Sequence, residues 1–284
     1  MGAITQAMAA AARSMGAAIE TNTTVRRVIV ENKQAVGVEL DSGREVRARI
    51  VAANVNPSLL YNRMLDAEHL PEEFARRMRH YRNGSGTFRM NVALAELPRF
   101  TCLQQQPRGS QDHLTGGIVI APTMAYLDRA YRDARDRGWS REPVVEMLIP
   151  STVDDSLAPP GQHVASLFCQ QFDPDVDWDQ HRETAADLII QQVEKFAPGF
   201  EQSILGRQVL SPLDLERRFG LTRGDIMHGH LSIDQMFSAR PVLGHGDYRA
   251  PVKGLYMCGA GTHPGGGVTG APGHNAAREI LRDL

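Results

Sequence analysis

The chain contains 284 residues, of which 42% are hydrophobic, and carries a formal net charge of −2 at neutral pH. This length and composition allow a buried core in one large domain or in two smaller ones. The slightly acidic balance argues against electrostatic binding of nucleic acid. No segment approaches the ~18 apolar residues of a membrane-spanning helix, which leaves only peripheral contact with a membrane open.

The three cysteines, Cys102, Cys169 and Cys258, lie far apart and form no C-x-x-C pair. This spacing predicts neither a disulfide framework nor a dithiol redox centre. The N-terminal residues lack the basic stretch and long apolar core of a signal peptide. Free thiols are typical of a reducing compartment, so we predict a cytoplasmic protein.

The first 56 residues have the pattern of a helix followed by a small sheet. Residues 2–15 predict a helix, because Ile4, Met8 and Ala12 fall on one side and Gly16 follows the last turn. Three segments rich in β-branched residues then predict the strands of a meander at 25–30, 35–40 and 46–53. The Asn-Val-Asn-Pro sequence at 54–57 ends it.

Residues 57–239 mix helix and strand patterns. The predicted helices lie at 67–81, 124–137 and 179–196, and the predicted strands lie at 87–94, 117–120, 144–149 and 164–172. A polar segment at 104–112 predicts a loop. Helices and strands in this arrangement favour an α+β domain, in which helices cover one side of a sheet.

The C-terminal residues contain the most informative stretch. Residues 255–258 are apolar and predict a buried strand, seven glycines follow between Gly259 and Gly273, and 276–284 predict a helix. A glycine-rich turn between a strand and a helix lets a ligand approach the backbone and the free N–H groups of the helix start. The alternative is a glycine-rich turn that merely packs a terminal helix.

Residues 255–270 read Leu-Tyr-Met-Cys-Gly-Ala-Gly-Thr-His-Pro-Gly-Gly-Gly-Val-Thr-Gly. This segment resembles the C-terminal flavin motif of the phytoene desaturase and carotenoid isomerase branch of FAD-dependent oxidoreductases, which includes the phytoene-dehydrogenase-like proteins. The resemblance implies that its backbone reaches the ribityl chain and the pyrimidine edge of the flavin. The implied cofactor-binding residues here are Gly259, Ala260, Gly261, Thr262, Gly266, Gly267, Val268, Thr269 and Gly270.

The helix and meander at the N-terminus also resemble this family, in which a strand backbone brackets the FAD adenine. The resemblance places Val25 at that position, whereas by its residue type alone Val25 is an ordinary strand valine. It implies an α/β fold with parts of a Rossmann-like FAD-binding domain at 1–56 and 240–284. An inserted α+β substrate domain would occupy 57–239.

The strand followed by G-x-G-x-x-G, with which the family's FAD domain begins, is missing from this sequence. We therefore interpret the chain as a fragment or as the product of a split gene. The isolated chain is expected to bind FAD weakly or not at all. It is also expected to self-associate or to require a complementary N-terminal chain.

The resemblance implies hydride transfer from a small hydrophobic substrate, such as a polyene, to FAD in the complete protein. It assigns no catalytic residue, and we expect the isolated chain to be inactive. The alternative, from a different class, is an inert binding or interaction domain that kept the fold and lost the cofactor.

Three groups of polar residues invite other hypotheses. His228 and His230 share one face of an extended segment, but the further ligands that zinc needs are missing, so we predict no metal site and expect both to line the flavin pocket or make surface contacts. Four aspartates alternate along 173–179 without an EF-hand pattern, which indicates a solvated loop. His263 lies inside the glycine motif, where proton transfer and backbone positioning are both open roles.

Overall fold

The computed structural model describes residues 2–84, 86–103 and 112–284. Except for Asp112, the loop predicted at 104–112 lies outside these ranges. The described residues form a mixed α/β structure, which confirms the predicted fold class. No helix among them is long and apolar enough to cross a membrane.

Helices and strands are interspersed along the chain. The helices are α1 (Gly2–Ser14), α2 (Pro57–Arg63), α3 (Glu72–Arg79), α4 (Met124–Arg137), α5 (Trp178–Glu194), α6 (Phe200–Ser203), α7 (Pro212–Phe219) and α8 (Ala271–Asp283). The strands are β1 (Val25–Glu31), β2 (Gln34–Leu40), β3 (Glu45–Arg47), β4 (Val51–Ala53), β5 (Thr87–Leu94), β6 (Ile118–Ile120), β7 (Trp139–Leu148), β8 (His163–Phe172), β9 (Ile204–Leu210) and β10 (Leu255–Met257).

The two ends of the chain meet in a short parallel pair of strands. Strands β1, β2 and β3 form an antiparallel meander, whereas β4 pairs in parallel with β10, with Val51 opposite Leu255. The prediction of one strand over 46–53 is therefore wrong. The chain leaves the meander after the Ala48 N–H donates to Val36 O at 2.9 Å, and no glycine or proline marks this break.

The larger sheet has the antiparallel strand order β6-β7-β8-β5-β9. Along β5, Phe88, Met90, Val92 and Leu94 are buried, and they join Ile189 and other residues of α5 in one apolar cluster. The alternate residues of β5 lie on the opposite side of the sheet, where Thr87 is buried, Arg89 and Asn91 are half-buried and Ala93 is exposed. We call this side the open face; its residues include Arg89, Asn91, Glu146, Ser166, Phe168 and Gln170.

A second apolar cluster joins the meander to the C-terminal strand. It contains Val28 of β1, Leu60 of α2, Phe74 of α3, and Leu255 and Met257 of β10. The packing around β10 thus extends beyond residue 56, where we place a domain boundary from the sequence. The boundary itself stays a prediction.

Several element ends differ from the sequence predictions. The helix predicted at 67–81 begins only at Glu72, because Pro71 occupies its N-cap and has no N–H to continue a preceding helix. Helix α8 begins at Ala271 instead of 276, with Pro272 in its first turn, where a missing N–H costs nothing. Helices α2 and α7 and strand β9 have no counterpart among the predicted elements.

Candidate cofactor and substrate site

The turn between β10 and α8, residues 258–270, begins as a tightly folded loop. The Cys258 N–H donates to Ala53 O at 2.9 Å, which continues the β4–β10 pairing by one residue. The Thr262 hydroxyl donates to Gly259 O at 2.9 Å, and the Gly265 N–H donates to Thr262 O at 2.7 Å. Thr262 is buried, so its hydroxyl serves the turn itself.

The first glycines of this turn are required by packing. A Cβ atom on Gly259 would collide with the Asn54 side chain, and one on Gly261 would lie 2.6 Å from Pro57 Cδ. Both neighbours belong to the Asn-Val-Asn-Pro segment that follows β4. These glycines therefore hold the turn against the end of β4 and need no ligand to explain them.

The later glycines face open space. A Cβ atom on Gly270 or Gly273 would meet no described atom within 4 Å, and one on Gly267 would meet only Thr269 Cγ2 at 3.7 Å. Gly267 has a φ of +127° and Gly270 a φ of +71°, which side chains rarely allow. Val268 between them is 84% exposed. The exposed backbone at this edge forms a cradle. Side chains at the glycine positions would fill it, and their absence leaves room for a flat ligand.

Helix α8 begins beside this cradle. The Ala271 N–H donates to Thr269 Oγ1 at 3.1 Å, and the 13-residue helix points its N-terminus, with its partial positive charge, toward the turn. Such an end stabilises an electron-rich oxygen or nitrogen of a ligand. The residues present therefore fit the pyrimidine edge of a flavin.

Nine of the ten predicted cofactor residues lie within this turn, from Gly259 to Gly270. The tenth, Val25, begins β1 opposite Leu40 and packs half-buried against the cluster that contains Leu255 and Met257. Val25 therefore packs against the same apolar cluster as the strand that leads into the turn. Cofactor contact by these ten residues stays a prediction.

A buried arginine connects the turn to the preceding loop, and no sequence pattern marks it. Arg240 is 2% exposed. Its guanidinium donates to Ala260 O at 2.9 Å, to Gln235 O at 3.1 Å and to Met227 O. The three carbonyl oxygens lie around the planar guanidinium group. Only an arginine side chain has enough donors in one plane to serve all three. Arg240 thus fixes the loop of residues 225–235 against the turn.

The other end of the 225–235 loop is held by a buried carboxylate. Asp225 is fully buried and accepts hydrogen bonds from the N–H groups of Gly84 at 2.8 Å, Met227 at 2.8 Å and Gly229 at 3.0 Å. The Tyr81 hydroxyl donates to His228 O at 2.9 Å, and burial raises the pKa of Tyr81 to about 12.

The two histidines of this loop have different surroundings. His228 has a φ of +56°, and burial lowers its pKa despite a hydrogen bond with the Val55 backbone. His230 is half-buried, and the Nδ1 atoms of both rings have no partner among the described atoms. No three metal-ligating side chains are grouped anywhere in the described ranges.

The remaining polar groups singled out from the sequence have local explanations. His263 is exposed, and its carbonyl accepts from the Tyr248 hydroxyl at 2.8 Å. Of the four aspartates, Asp177 caps α5, whereas Asp175 and Asp179 form ion pairs with arginines.

A cavity of about 560 Å³ lies near the turn and is lined in part by Met227. It lies between the open face of the larger sheet, helix α4 and the 225–235 loop. Phe168 and Gln170 contribute from the sheet, and Met227 and His230 contribute from the loop. The Met227 sulfur would lie 3.3 Å from a Cβ on Gly266. Met227 therefore lines the cavity and also packs against the glycine turn.

The sequence model of the family described as flavin-containing amine oxidoreductase matches residues 1–281. The chain belongs to this family. It is 42% identical to pyridine nucleotide-disulfide oxidoreductase domain-containing protein 2 of Rattus norvegicus, over 100% of the chain and 50% of that protein. It is 25% identical to a limonene dehydrogenase polypeptide of Castellaniella defragrans and 24% identical to a lycopene-forming phytoene desaturase of Pseudescherichia vulneris.

In these two alignments the chain is covered to 95% and 100%, and the relatives to 52% and 55%. The chain thus spans about half the length of the curated relatives it matches. Among solved structures, an oxidoreductase from Methanosarcina mazei matches with a TM-score of 0.61 at 16% identity, over 98% of the chain and 53% of that protein. Putrescine oxidase bound to putrescine matches with a TM-score of 0.57 at 18% identity, over 95% and 51%. These likenesses agree with the α/β fold, and the relatives confirm the predicted resemblance.

Proposed function

We propose that this chain forms the flavin-facing and substrate-facing part of an FAD-dependent oxidoreductase that removes hydride from a hydrophobic substrate. The observation that carries the proposal is the glycine cradle at residues 265–273. Gly267, Gly270 and Gly273 face open space, the N-terminus of α8 lies beside them, and Met227, which lines the 560 Å³ cavity, lies against Gly266.

In this proposal the backbone of Gly266, Gly267 and Gly270 holds the pyrimidine side of FAD. When bound there, FAD would supply the acceptor for a hydride, which no protein side chain supplies. The partial charge of α8 favours an electron-rich ring edge. Arg240 keeps the turn and the 225–235 loop in one arrangement, so that the cavity and the cradle stay adjacent.

The substrate would lie in the cavity against Phe168 and Met227. These side chains offer apolar surface, and a cavity of about 560 Å³ has the size of a pocket for a small organic molecule. The named activities of the desaturase and limonene dehydrogenase relatives agree with a hydrophobic substrate. A polyene remains one candidate within that class.

We further propose that a complementary segment supplies the dinucleotide-phosphate site. The β4–β10 pair has only three residues per strand, and parallel sheets normally have further strands and covered faces. Helix α1 buries none of its described residues, and its Ile4 and Met8 are 55% and 64% exposed. A segment with a strand and a G-x-G-x-x-G turn would cover both features.

Visible absorbance tests the proposal. The protein expressed from its complete gene is purified and saturated with FAD, and bound flavin is measured at ~450 nm beside the Gly267→Val variant. We expect stoichiometric flavin in the natural protein. The variant should lose it, because a β-branched residue at φ +127° would strain the backbone and fill the cradle.

Gly206→Val is the matched control, because Gly206 lies in β9 with open space around it and its φ is not positive. This variant should keep its flavin. Equal flavin content and turnover in both variants would remove the cradle from the cofactor site. A complete protein that never binds flavin would support an inert interaction domain instead.

A further inference from the structure

Arg89 stands at the centre of the open face with most of its hydrogen-bonding capacity unused. It is half-buried on β5, opposite Phe168 of β8. One guanidinium nitrogen donates to Ser166 Oγ at 3.0 Å, and the guanidinium carbon lies 5.2 Å from the centre of the Phe168 ring. An arginine has five N–H donors, so the remaining ones are available.

No carboxylate among the described residues forms an ion pair with Arg89. The nearest acidic residue on the open face by strand register is Glu146, which stands opposite Phe168 on the other side. Two strand spacings of ~4.8 Å separate the backbones of Arg89 and Glu146. Glu146 itself accepts from the Gln170 amide at 3.4 Å. Within the described part of the chain, the positive charge of Arg89 is therefore left uncompensated by a neighbouring anion.

The aromatic ring beneath this charge belongs to the cavity wall. Phe168 lines the 560 Å³ cavity, and the guanidinium over its ring lies next to this wall, although Arg89 itself is not part of the cavity lining. A stacked guanidinium is held in orientation by the ring, which reduces the side-chain entropy lost when it binds a ligand. Such a fork is matched to a planar carboxylate.

We propose that Arg89 binds an anionic group, of the carboxylate type, on the hydrophobic substrate. This inference rests on the proposed function, since it assigns the cavity to the substrate. The apolar part of the ligand lies against Phe168 in the cavity, and its carboxylate accepts the free N–H donors of Arg89. The substrate class is thus an amphipathic organic acid, and a pure hydrocarbon would leave the half-buried guanidinium without an acceptor.

Calorimetric titration of the 284-residue chain tests this, with 2-naphthoate and the neutral 2-naphthylmethanol as matched probes. The natural chain should bind the acid at least ~10-fold more tightly than the alcohol, because hydrogen bonds between two charged groups are the stronger ones. Arg89→Met keeps the side-chain length and should reduce this preference to about one. Arg89→Lys should retain part of it, since the charge stays but the fork is lost.

Arg132→Met is the control, because it removes the same charge from an exposed i,i+4 pair with Asp128 on α4. It should leave the preference unchanged. Glu146→Gln should strengthen acid binding, because it removes the carboxylate that stands beside Phe168 on the open face.

Equal affinity for acid and alcohol in the natural chain, or a preference that survives in Arg89→Met, would overturn the proposal, as would binding of neither probe. Thermal unfolding of each variant establishes that it folds. The titration needs no flavin, so its failure is distinct from a failure of the flavin measurement above.

Discussion

Arg240 offers the sharpest test of how the candidate site is held together. Its guanidinium is buried and donates to three backbone carbonyls, which belong to the glycine turn at Ala260 and to the 225–235 loop at Met227 and Gln235. Arg240→Met keeps much of the apolar volume and removes every donor. The three carbonyl oxygens would then be left in a dry environment without partners.

The magnitude follows from two opposing effects. A hydrogen bond with a charged partner contributes ~1.5–3 kcal/mol, so three of them set an upper bound of ~5–9 kcal/mol. Removing the guanidinium also relieves its desolvation cost, which amounts to several kcal/mol for a buried ion. We expect a net loss of ~2–4 kcal/mol in the free energy of unfolding. Arg240→Lys should lose less, since an ammonium group still donates to one or two of the carbonyls.

Urea denaturation followed by circular dichroism gives these free energies. Arg132→Met serves again as the control, and loss of its exposed ion pair should cost only ~0.3–0.5 kcal/mol. A loss in Arg240→Met no larger than that of the control would refute the argument that this guanidinium joins the turn to the loop. The same conclusion would follow if the lysine variant were the less stable of the two.

Four further predictions concern the turn and its surroundings. Gly273→Ala should raise the free energy of unfolding by ~0.5–1 kcal/mol, because alanine favours the helix and the site is open, as a differential urea titration would show. Gly261→Ala should lower the free energy of unfolding, because the new Cβ would lie 2.6 Å from Pro57. An opposite sign in either variant would contradict the distinction between glycines required by packing and glycines that face open space. Burial lowers the pKa of His228, so the stability of the fold should fall as the pH drops below ~6.5. His228→Asn should reduce that fall, and asparagine tolerates the positive φ at this position. Hydrogen bonds from Arg249 and Tyr256 lower the pKa of Asp283 to about 2. Its stabilising effect should thus be full above ~4 and disappear as the pH falls to about 2, so the melting temperatures of Asp283→Asn and the natural chain should converge there.

His228 and Asp283 are not expected to account for the whole pH dependence of stability. Burial also lowers the pKa of His245, so part of the acid-induced loss should persist in His228→Asn. An unchanged pH profile in that variant would show that His228 is not a source of the loss. For Asp283→Asn, a difference in melting temperature that stays constant from about pH 7 to about pH 2 would show that the carboxylate contributes nothing through its charge.

Elements with a local pattern could be predicted from the amino-acid order alone. The alternation of Phe88, Met90, Val92 and Leu94 predicted β5 and its buried face, because successive side chains of a strand point to opposite sides. The helix predicted over 124–137 agrees with α4, which Thr123 caps and Gly138 ends. The glycine motif at 259–270 predicted both the turn and the family.

The meeting of distant segments became visible only in the folded chain. The pairing of β4 with β10 joins residues about two hundred positions apart, and no local pattern separates β4 from the meander strand before it. Asp225 and Arg240 are ordinary charged residues in an irregular loop. Their roles depend on backbone N–H and carbonyl groups that the fold brings to them, and a sequence does not display such groups.

The roles of the glycines and of the open face also depend on neighbours that only the fold brings to them. Sequence spacing treats Gly261 and Gly270 alike, but Pro57 packs against the first and open space surrounds the second. Arg89 gains its significance from Phe168 and from the absence of a paired carboxylate among the described residues, both of which follow from strand register. Register is set by nonlocal packing of the buried face, so the sequence specifies the strand while its neighbours specify what the exposed side can bind.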